Sequence, residues 1–332
     1  MSSPLQTQKS FFEKLKAVIP NEQLANNVAE VLDISVGEAY KKISGKSLIN
    51  IEQILSLCNK FKVSFDYNPL HGDNKALFSY SNFMLGEHRI DNYLDNFYKT
   101  LLYIKSEKNG SIICTTDEIP IFHLFKYPEL AAFKIYYWLS RQTKNKTCAK
   151  KEPFSIEAID KQIIEKCFQM HKEYKSIPST EIWSKTSLQN TLQQIEYAVD
   201  AYFITDKKLL LKLYDQLENT ISDIEEYSVN GIKNNESLHP IHFNWSVCEN
   251  IASTTYLFKA NENMGCYQRF NTFNTLQTND AAYCNEVNLW IGNVYKESVC
   301  FSGQSEKQRN IYVTSTIDAI HAVKNKISSA MF

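Results

Sequence analysis

The residues of this sequence that are best suited to metal binding or redox chemistry are its cysteines and histidines. Eight cysteines occupy positions 58, 114, 148, 167, 248, 266, 284 and 300. They form no Cys-x-x-Cys pair, and no His pair has zinc-site spacing, so we expect reduced, mostly buried thiols. A strand would place His242 and Cys248 on one face near His239, but a further ligand is missing. The sequence therefore predicts no metal site.

Signatures of catalysis are equally sparse. The sequence contains no Gly-rich phosphate loop, no Gly-x-Ser-x-Gly elbow and no His-Glu-x-x-His motif. Asp117 and Glu118 are adjacent, and on an extended chain they would point to opposite sides, which is unsuited to a catalytic carboxylate pair. We expect a protein that is not an enzyme and that uses no cofactor.

Length and composition limit the number of domains and the class of protein that this sequence can form. A chain of 332 residues exceeds one ordinary domain, so we expect a small module and a larger one. The formal net charge of −1 excludes binding of polyanions by bulk charge. No stretch approaches the ~20 apolar residues of a membrane span, and the first ten residues lack a signal-peptide core. The expected location is the cytoplasm, with no membrane contact.

Four short helices are predicted in the N-terminal module. Helical spacing of apolar residues predicts the first over 11–18 and the second over 22–32. A capping box at Ser35 and Glu38 opens the third, which turns Ala39 and Ile43 inward and ends at residues 44–45. Asn50, with Gln at N3, caps the fourth. Its predicted buried stripe is Ile51, Ile54, Leu55, Cys58 and Phe61.

Two capped helices joined by a tight turn at 33–35 describe a helix-turn-helix. Segments 28–35 (VAEVLDIS), 39–46 (AYKKISGK) and 54–66 (ILSLCNKFKVSFD) carry a resemblance. They resemble the Cro-like helix-turn-helix of phage repressors and xenobiotic-response-element regulators, over about a fifth of the chain. Segment 301–310 is similar to the tail of uncharacterised bacterial regulators that join such a module to a large companion domain.

The resemblance implies a bacterial transcription regulator whose third helix, about 36–43, enters the major groove of double-stranded DNA. Ser35 caps that helix. The implied base-facing residues are Val36, Gly37, Glu38 and Tyr40, and the implied phosphate contacts are Lys41, Lys42 and Lys46.

The module departs from the family at three points. Asp33 replaces a usual Gly, Ala25 replaces a Gln that contacts phosphate, and residues 1–68 contain no Arg. Residues 35–62 carry 5 Lys and 2 acidic residues, a local charge of +3. This modest charge predicts weak binding by a monomer, and a homodimer is the expected DNA-binding form.

The remaining chain is predicted to be mixed. We divide the sequence into a helix-turn-helix domain (1–68), a linker (69–85) and a regulatory and dimerisation domain (86–332). The last is expected to be mostly helical α+β. Helices are predicted over about 87–106, from Pro128, almost throughout 155–227, and over about 280–298 and 305–327. Alternation from His242 predicts a small antiparallel sheet of three to five strands, joined by a strand at 112–115.

Aromatic residues are abundant, and most should pack in the core. Tyr137, Trp138, Trp245 and Trp290 are candidates for a pocket that binds an effector, either a small molecule or a protein. Two other hypotheses stay open. In the first hypothesis, the helix-turn-helix has lost DNA binding and is a protein-interaction module. In the second, the companion domain is an enzyme with a polar cleft and titratable groups of perturbed pKa.

Overall fold

This chain forms two units, and each unit has hydrophobic core residues of its own. A computed structural model describes residues 4–16, 18–61, 63, 65, 75–83, 90–142, 153–233, 241–249, 251 and 253–330. The chain divides into one unit over Met1–Lys75 and a second over Ala76–Phe332. We refer to them as the smaller and the larger unit.

The smaller unit consists of helices. They are α1 (Pro4–Lys16), α2 (Asn21–Leu32), α3 (Val36–Ile43) and α4 (Ile51–Phe61). The first begins seven residues before the predicted start at residue 11, and the added turns bury Gln8. The core contains Phe11, Phe12, Leu15, Ile19, Leu24, Val28, Ala29, Ala39 and Leu57.

The predicted buried stripe of α4 was partly wrong. Ile54, Cys58 and Phe61 pack against the core, but Leu57 is the residue that α4 buries fully. Ile51 and Leu55 are 75% and 55% exposed. The helix is rotated so that its core-facing line runs through Leu57, and this rotation carries positions 51 and 55 toward solvent.

The larger unit is a mixed α+β fold. Its helices are α5 (Ile90–Ser106), α6 (Ile121–Leu124), α7 (Pro128–Gln142), α8 (Lys161–Lys175), α9 (Ser187–Asp200), α10 (Lys207–Asn230), α11 (Ala281–Glu297) and α12 (Glu306–Ala330). A 3-10 turn occupies Ile156–Ala158. Its strands are β1 (Ser111–Thr116), β2 (Ser179–Ser184), β3 (Phe243–Cys248), β4 (Thr255–Ala260), β5 (Asn263–Arg269), β6 (Thr275–Thr278) and β7 (Val299–Cys300).

The sheet is larger than the predicted small antiparallel sheet and differs in topology. Its seven strands have the order β6-β5-β4-β1-β2-β3-β7. β1, β2 and β3 are parallel, and the other pairs are antiparallel. One face packs on the main core, while Cys284, Val287 and Ile291 of α11 pack on the other face. Burial on both sides explains why its central strands lack a clean alternation.

The prediction missed β2 as well as the short β6 and β7, and β2 lies inside the stretch that we expected to be helical. Its central Glu181 pairs in register with Cys114 of β1 and Trp245 of β3. A charged residue in the middle of a buried strand breaks the apolar pattern that identifies such strands. The sequence pattern therefore did not identify β2 as a strand.

The predicted linker, 69–85, lies partly outside the described residues. Within the described part, Ser79 pairs with Gln277 beside β6, and Phe83 lies in the main core of the larger unit. Among the described residues, no helix is long and apolar enough to cross a membrane.

Candidate functional site

Helix α3 begins at a side-chain cap. Ser35 has an extended backbone, and its Oγ accepts a hydrogen bond from the Glu38 amide at 3.2 Å. Asp33, immediately before the turn, adopts the left-handed conformation with φ 50°. This conformation normally favours Gly and tolerates Asp, which explains how an acidic residue can occupy this position. The turn and cap together fix where α3 starts.

The outer face of α3 carries the residues predicted to meet base edges. Val36 and Tyr40 are 43% and 60% exposed, and Gly37 and Glu38 are exposed as well. Ala39 is the residue of this helix that the core buries. Tyr40 therefore belongs to the surface and not to the core, which leaves its ring available to a partner.

The three predicted phosphate-binding lysines have different surroundings. Lys41 and Lys46 are exposed, whereas Lys42 is half-buried. The Lys42 Nζ donates to the backbone oxygen of Leu48 at 2.9 Å, so this ammonium also holds the connection to α4. Lys41 and Lys46 are therefore better candidates than Lys42 for contacts with a binding partner.

Gln8 positions the end of α3 from a distance in sequence. Its Nε2 donates to the backbone oxygens of Lys42 at 2.6 Å and Ser47 at 2.8 Å. Its Oε1 accepts from the Ile49 amide at 2.9 Å. This one buried amide fixes both ends of the loop between α3 and α4. Sequence reasoning missed it, because a lone Gln before the predicted start of a helix carries no local signal.

The four aromatic pocket candidates do not form one group. Trp138 lines a cavity of about 70 Å³ in the larger unit, where its ring stacks on Phe273 at 4.8 Å between centroids. Trp245 is fully buried in the core against Phe301, and Trp290 is largely exposed on α11. Tyr137 packs at the margin of the main core.

Asp117 and Glu118 behave differently from the prediction, because both contact Arg269. The Arg269 Nη2 donates to both carboxylate oxygens of Asp117, and its Nη1 lies 3.4 Å from the Glu118 Oε1. The chain bends after β1, so the two neighbours do not diverge as they would on a strand. Lys134, fully buried on α7, donates to Glu118 Oε2 at 3.1 Å and to Gln194 at 2.6 Å.

These contacts set the charge of the cluster. Burial alone would raise the pKa of Glu118. The charges of Lys134 and Arg269 and the hydrogen bonds from Lys134 and Gln194 lower the pKa by more than burial raises it, so the net pKa is below the usual value. Glu118 is therefore ionised near neutral pH. Two carboxylates and two cations meet at the carboxyl end of β1 with balanced charge.

A second polar group surrounds Glu181, whose side chain has no exposed surface. The His123 Nε2 lies 2.9 Å from Glu181 Oε1, and the Trp183 Nε1 donates to Oε2 at 2.9 Å. The Tyr174 hydroxyl donates to Oε1. The Lys233 Nζ donates to the backbone oxygen of Tyr174 at 2.8 Å and lies 3.8 Å from the centre of its ring. We call these five residues the buried polar centre.

The buried polar centre shifts the titration of its members. Burial lowers the pKa of Lys233 to about 7, although the charges of Glu181 and Cys114 oppose this effect. Burial raises the pKa of Glu181, and the interactions with His123, Lys233 and Tyr174 more than reverse it. Because Glu181 has no exposed surface, the arrangement can tie β2 to α6 and α8 but presents no carboxylate oxygen to solvent.

The metal-ligand candidates are not brought together. His242 is exposed and pairs with Ile232, Cys248 is half-buried at the end of β3, and His239 lies outside the described residues. Within the described ranges, no group of three or more His, Cys, Asp or Glu could hold a metal ion. Burial raises the pKa of the thiols of Cys114, Cys167, Cys266 and Cys284.

Comparisons of this chain with protein-family models, with curated proteins and with solved structures find no match.

Proposed function

We propose that this chain is a DNA-binding transcription regulator of the Cro-like helix-turn-helix type, acting as a homodimer. The observation that carries the proposal is the outer face of α3. This capped helix exposes Val36, Glu38, Tyr40 and Lys41 together, while Ala39 anchors its inner side. A helix of this kind fits the major groove, where side chains near its N-terminus meet base edges.

The charged residues on the outer face of α3 are suited to positioning the helix on DNA more than to attracting DNA strongly. Lys41 and Lys46 supply exposed cations beside the exposed carboxylate of Glu38. Phosphate contacts fix the register of a helix in the groove, and Tyr40 supplies an apolar ring and a hydroxyl for base edges. The small net charge favours a dimer, since two half-sites about one helical turn apart combine two weak contacts.

The first test uses the full chain and a mixed-sequence 30-base-pair duplex at low salt, measured by fluorescence anisotropy. Lys41→Ala with Lys46→Ala should weaken binding about tenfold and reduce the salt slope by roughly 1.8, because each phosphate contact contributes about 0.9. The matched control is Lys14→Ala with Lys60→Ala, which removes the same charge from exposed positions outside α3. Equal effects of the two double variants would contradict the proposal.

One observation favours the alternative, a protein-interaction module. Ile51 and Leu55 are exposed one turn apart on α4, and Leu48 is exposed in the loop before it. Exposed apolar side chains of this kind often mark protein contacts. The same titration separates the two functions. A wild-type chain that binds no duplex at low salt would exclude the DNA-binding function and leave the protein-interaction function.

A further inference from the structure

A second cavity of the larger unit, with a volume of about 190 Å³, is lined by residues of helix α5, strand β6 and segment 79–81. Paired backbone groups fix two of its walls, because the Ser79 and Gln277 amides each donate to the other residue's backbone oxygen at 2.8 Å. An uncharged polar lining favours a neutral polar ligand, since a charged ligand would lose its hydration without gaining a counter-charge. The lining residues are all of this uncharged polar kind: Ser79, Tyr80, Ser81, Asn92, Tyr93, Asn96 and Gln277.

Two side-chain amides of α5 are available on this cavity. Asn92 and Asn96 are exposed, and neither side chain makes a hydrogen bond within the described part of the chain. Residues four apart lie on one face of a helix, with their Cβ atoms about 5–6 Å apart. Each amide offers donors and an acceptor oxygen. The pair can therefore bind two hydroxyl groups that belong to different carbons of one ring.

Tyr80 adds an aromatic residue to the polar lining. It is 61% exposed, and its ring lies edge-on to the ring of Phe270, with 6.1 Å between the centroids. A tyrosine ring combines an apolar face with a hydroxyl at its tip. It therefore suits a ligand that presents both C–H and O–H groups, as a sugar ring does.

The volume of the cavity limits the ligand to one ring. A cavity of about 150 Å³ holds benzene, which is a six-membered ring without polar substituents. The volume of about 190 Å³ exceeds this, so the cavity has room for a six-membered ring with part of its substituents. A second ring would not fit, and the expected ligand is a single ring and not a chain of sugars.

We propose that this cavity binds a neutral, polyhydroxylated six-membered ring, such as a monosaccharide in its pyranose form. The amides of Asn92 and Asn96 bind two of its hydroxyl groups, and the side chains of Ser81 and Gln277 contact others. A C–H face of the ring packs on Tyr80. All of these residues belong to the larger unit, so the proposal does not depend on DNA binding by the smaller unit.

The test is a titration of the full chain with D-glucose, D-galactose, D-mannose and myo-inositol, followed by saturation-transfer NMR. At least one of these polyols should bind at about millimolar concentration. Cyclohexanol, a six-membered ring with a single hydroxyl, should bind about tenfold more weakly or less, because it offers the amides only one partner.

The variants separate the two kinds of contact. Asn92→Ala with Asn96→Ala should weaken binding of the polyol about thirtyfold, the value of two net hydrogen bonds. Tyr80→Ala should weaken it about tenfold, whereas Tyr80→Phe, which keeps the ring, should change it little. The substituted residues are exposed, so these variants should keep the fold.

The matched control is Asn285→Ala with Asn293→Ala, which removes two exposed amides from α11 and should leave binding unchanged. Four results would overturn the proposal. They are a wild-type chain that binds none of the four polyols, cyclohexanol that binds as tightly as the polyols, equal effects of the two double Asn variants, and a Tyr80→Ala variant with unchanged affinity.

Discussion

In the smaller unit, polar side chains work at helix ends and on the surface, whereas the larger unit encloses charged groups within its fold. Ser35 and Asn50 cap helices, and Lys41 faces solvent. In the larger unit, Glu181 and Lys233 are almost fully buried. Capping is local in sequence and visible in it, while a buried charge depends on partners far along the chain. The comparison predicts which substitutions are severe in each unit.

The largest effect is expected at the buried polar centre. Glu181→Leu should lower the free energy of unfolding by about 3–5 kcal/mol, because His123, Tyr174 and Trp183 would lose their shared acceptor. All four Trp lie within the larger unit, so tryptophan fluorescence during urea unfolding reports on it. Glu249→Leu is the control, since Glu249 forms an exposed ion pair with Lys185. Similar losses in both variants would remove the distinction between buried and surface charge.

Gln8 differs from the other described polar residues of the smaller unit because its side chain is buried. Gln8→Ala should destabilise the loop between α3 and α4 by about 2 kcal/mol, since three backbone contacts lose their partner. Amide hydrogen exchange over residues 42–49 should become about thirtyfold faster. The exposed Gln23→Ala should not change it. Unchanged exchange in Gln8→Ala would mean that the loop is held without this side chain.

Lys233 should make the stability of the larger unit depend on pH. Its folded pKa is about 7 and its ordinary value is 10.5, so between these values the unfolded chain binds a proton that the folded chain does not. Stability from this group therefore rises with pH, by about 1.4 kcal/mol per pH unit. Below pH 7 both states are protonated and the contribution is constant.

The measurement compares the wild-type chain with Lys233→Met by urea unfolding between pH 7 and 8.5. The buried cysteines titrate in the opposite sense above that window, and taking the difference between the two proteins cancels them. The difference in stability should increase in favour of the wild-type chain as pH rises. A difference that is independent of pH would show that Lys233 is not desolvated as described.

The helix caps should have the smallest effects. Asn50 and Gln53 form reciprocal bonds, at 2.8 Å to the Gln53 amide and 3.2 Å to the Asn50 amide, while Ser35 receives one bond. Asn50→Ala and Ser35→Ala should each lower the free energy of unfolding of the smaller unit by about 1 kcal/mol, and the loss should be larger for Asn50→Ala. Amide hydrogen exchange of the smaller unit measures both losses. Ser56→Ala, on the exposed side of α4, is the control and should be near neutral. A loss at Ser56 equal to that at the caps would contradict the assignment.

The same contrast explains what the sequence could predict. The start of α3, its cap and the strand Ser111–Thr116 were predicted, because each depends on neighbours within a few residues. β2 and the parallel half of the sheet were not, because Glu181 looks like a surface residue until His123 and Tyr174 are beside it. The convergence of Asp117 and Glu118 on Arg269 was also missed, since 151 residues separate Glu118 from Arg269.

We propose that the outer face of α3 reads DNA, and the decisive test is selection from a random pool of duplexes by the full chain. We expect enrichment of a motif with two related half-sites about 10 base pairs apart. Tyr40→Ala should lose or alter that motif, while the double variant Lys14→Ala with Lys60→Ala should retain it. A wild-type chain that enriches no motif, or a Tyr40→Ala chain that enriches the same one, would contradict recognition of DNA by this face of α3.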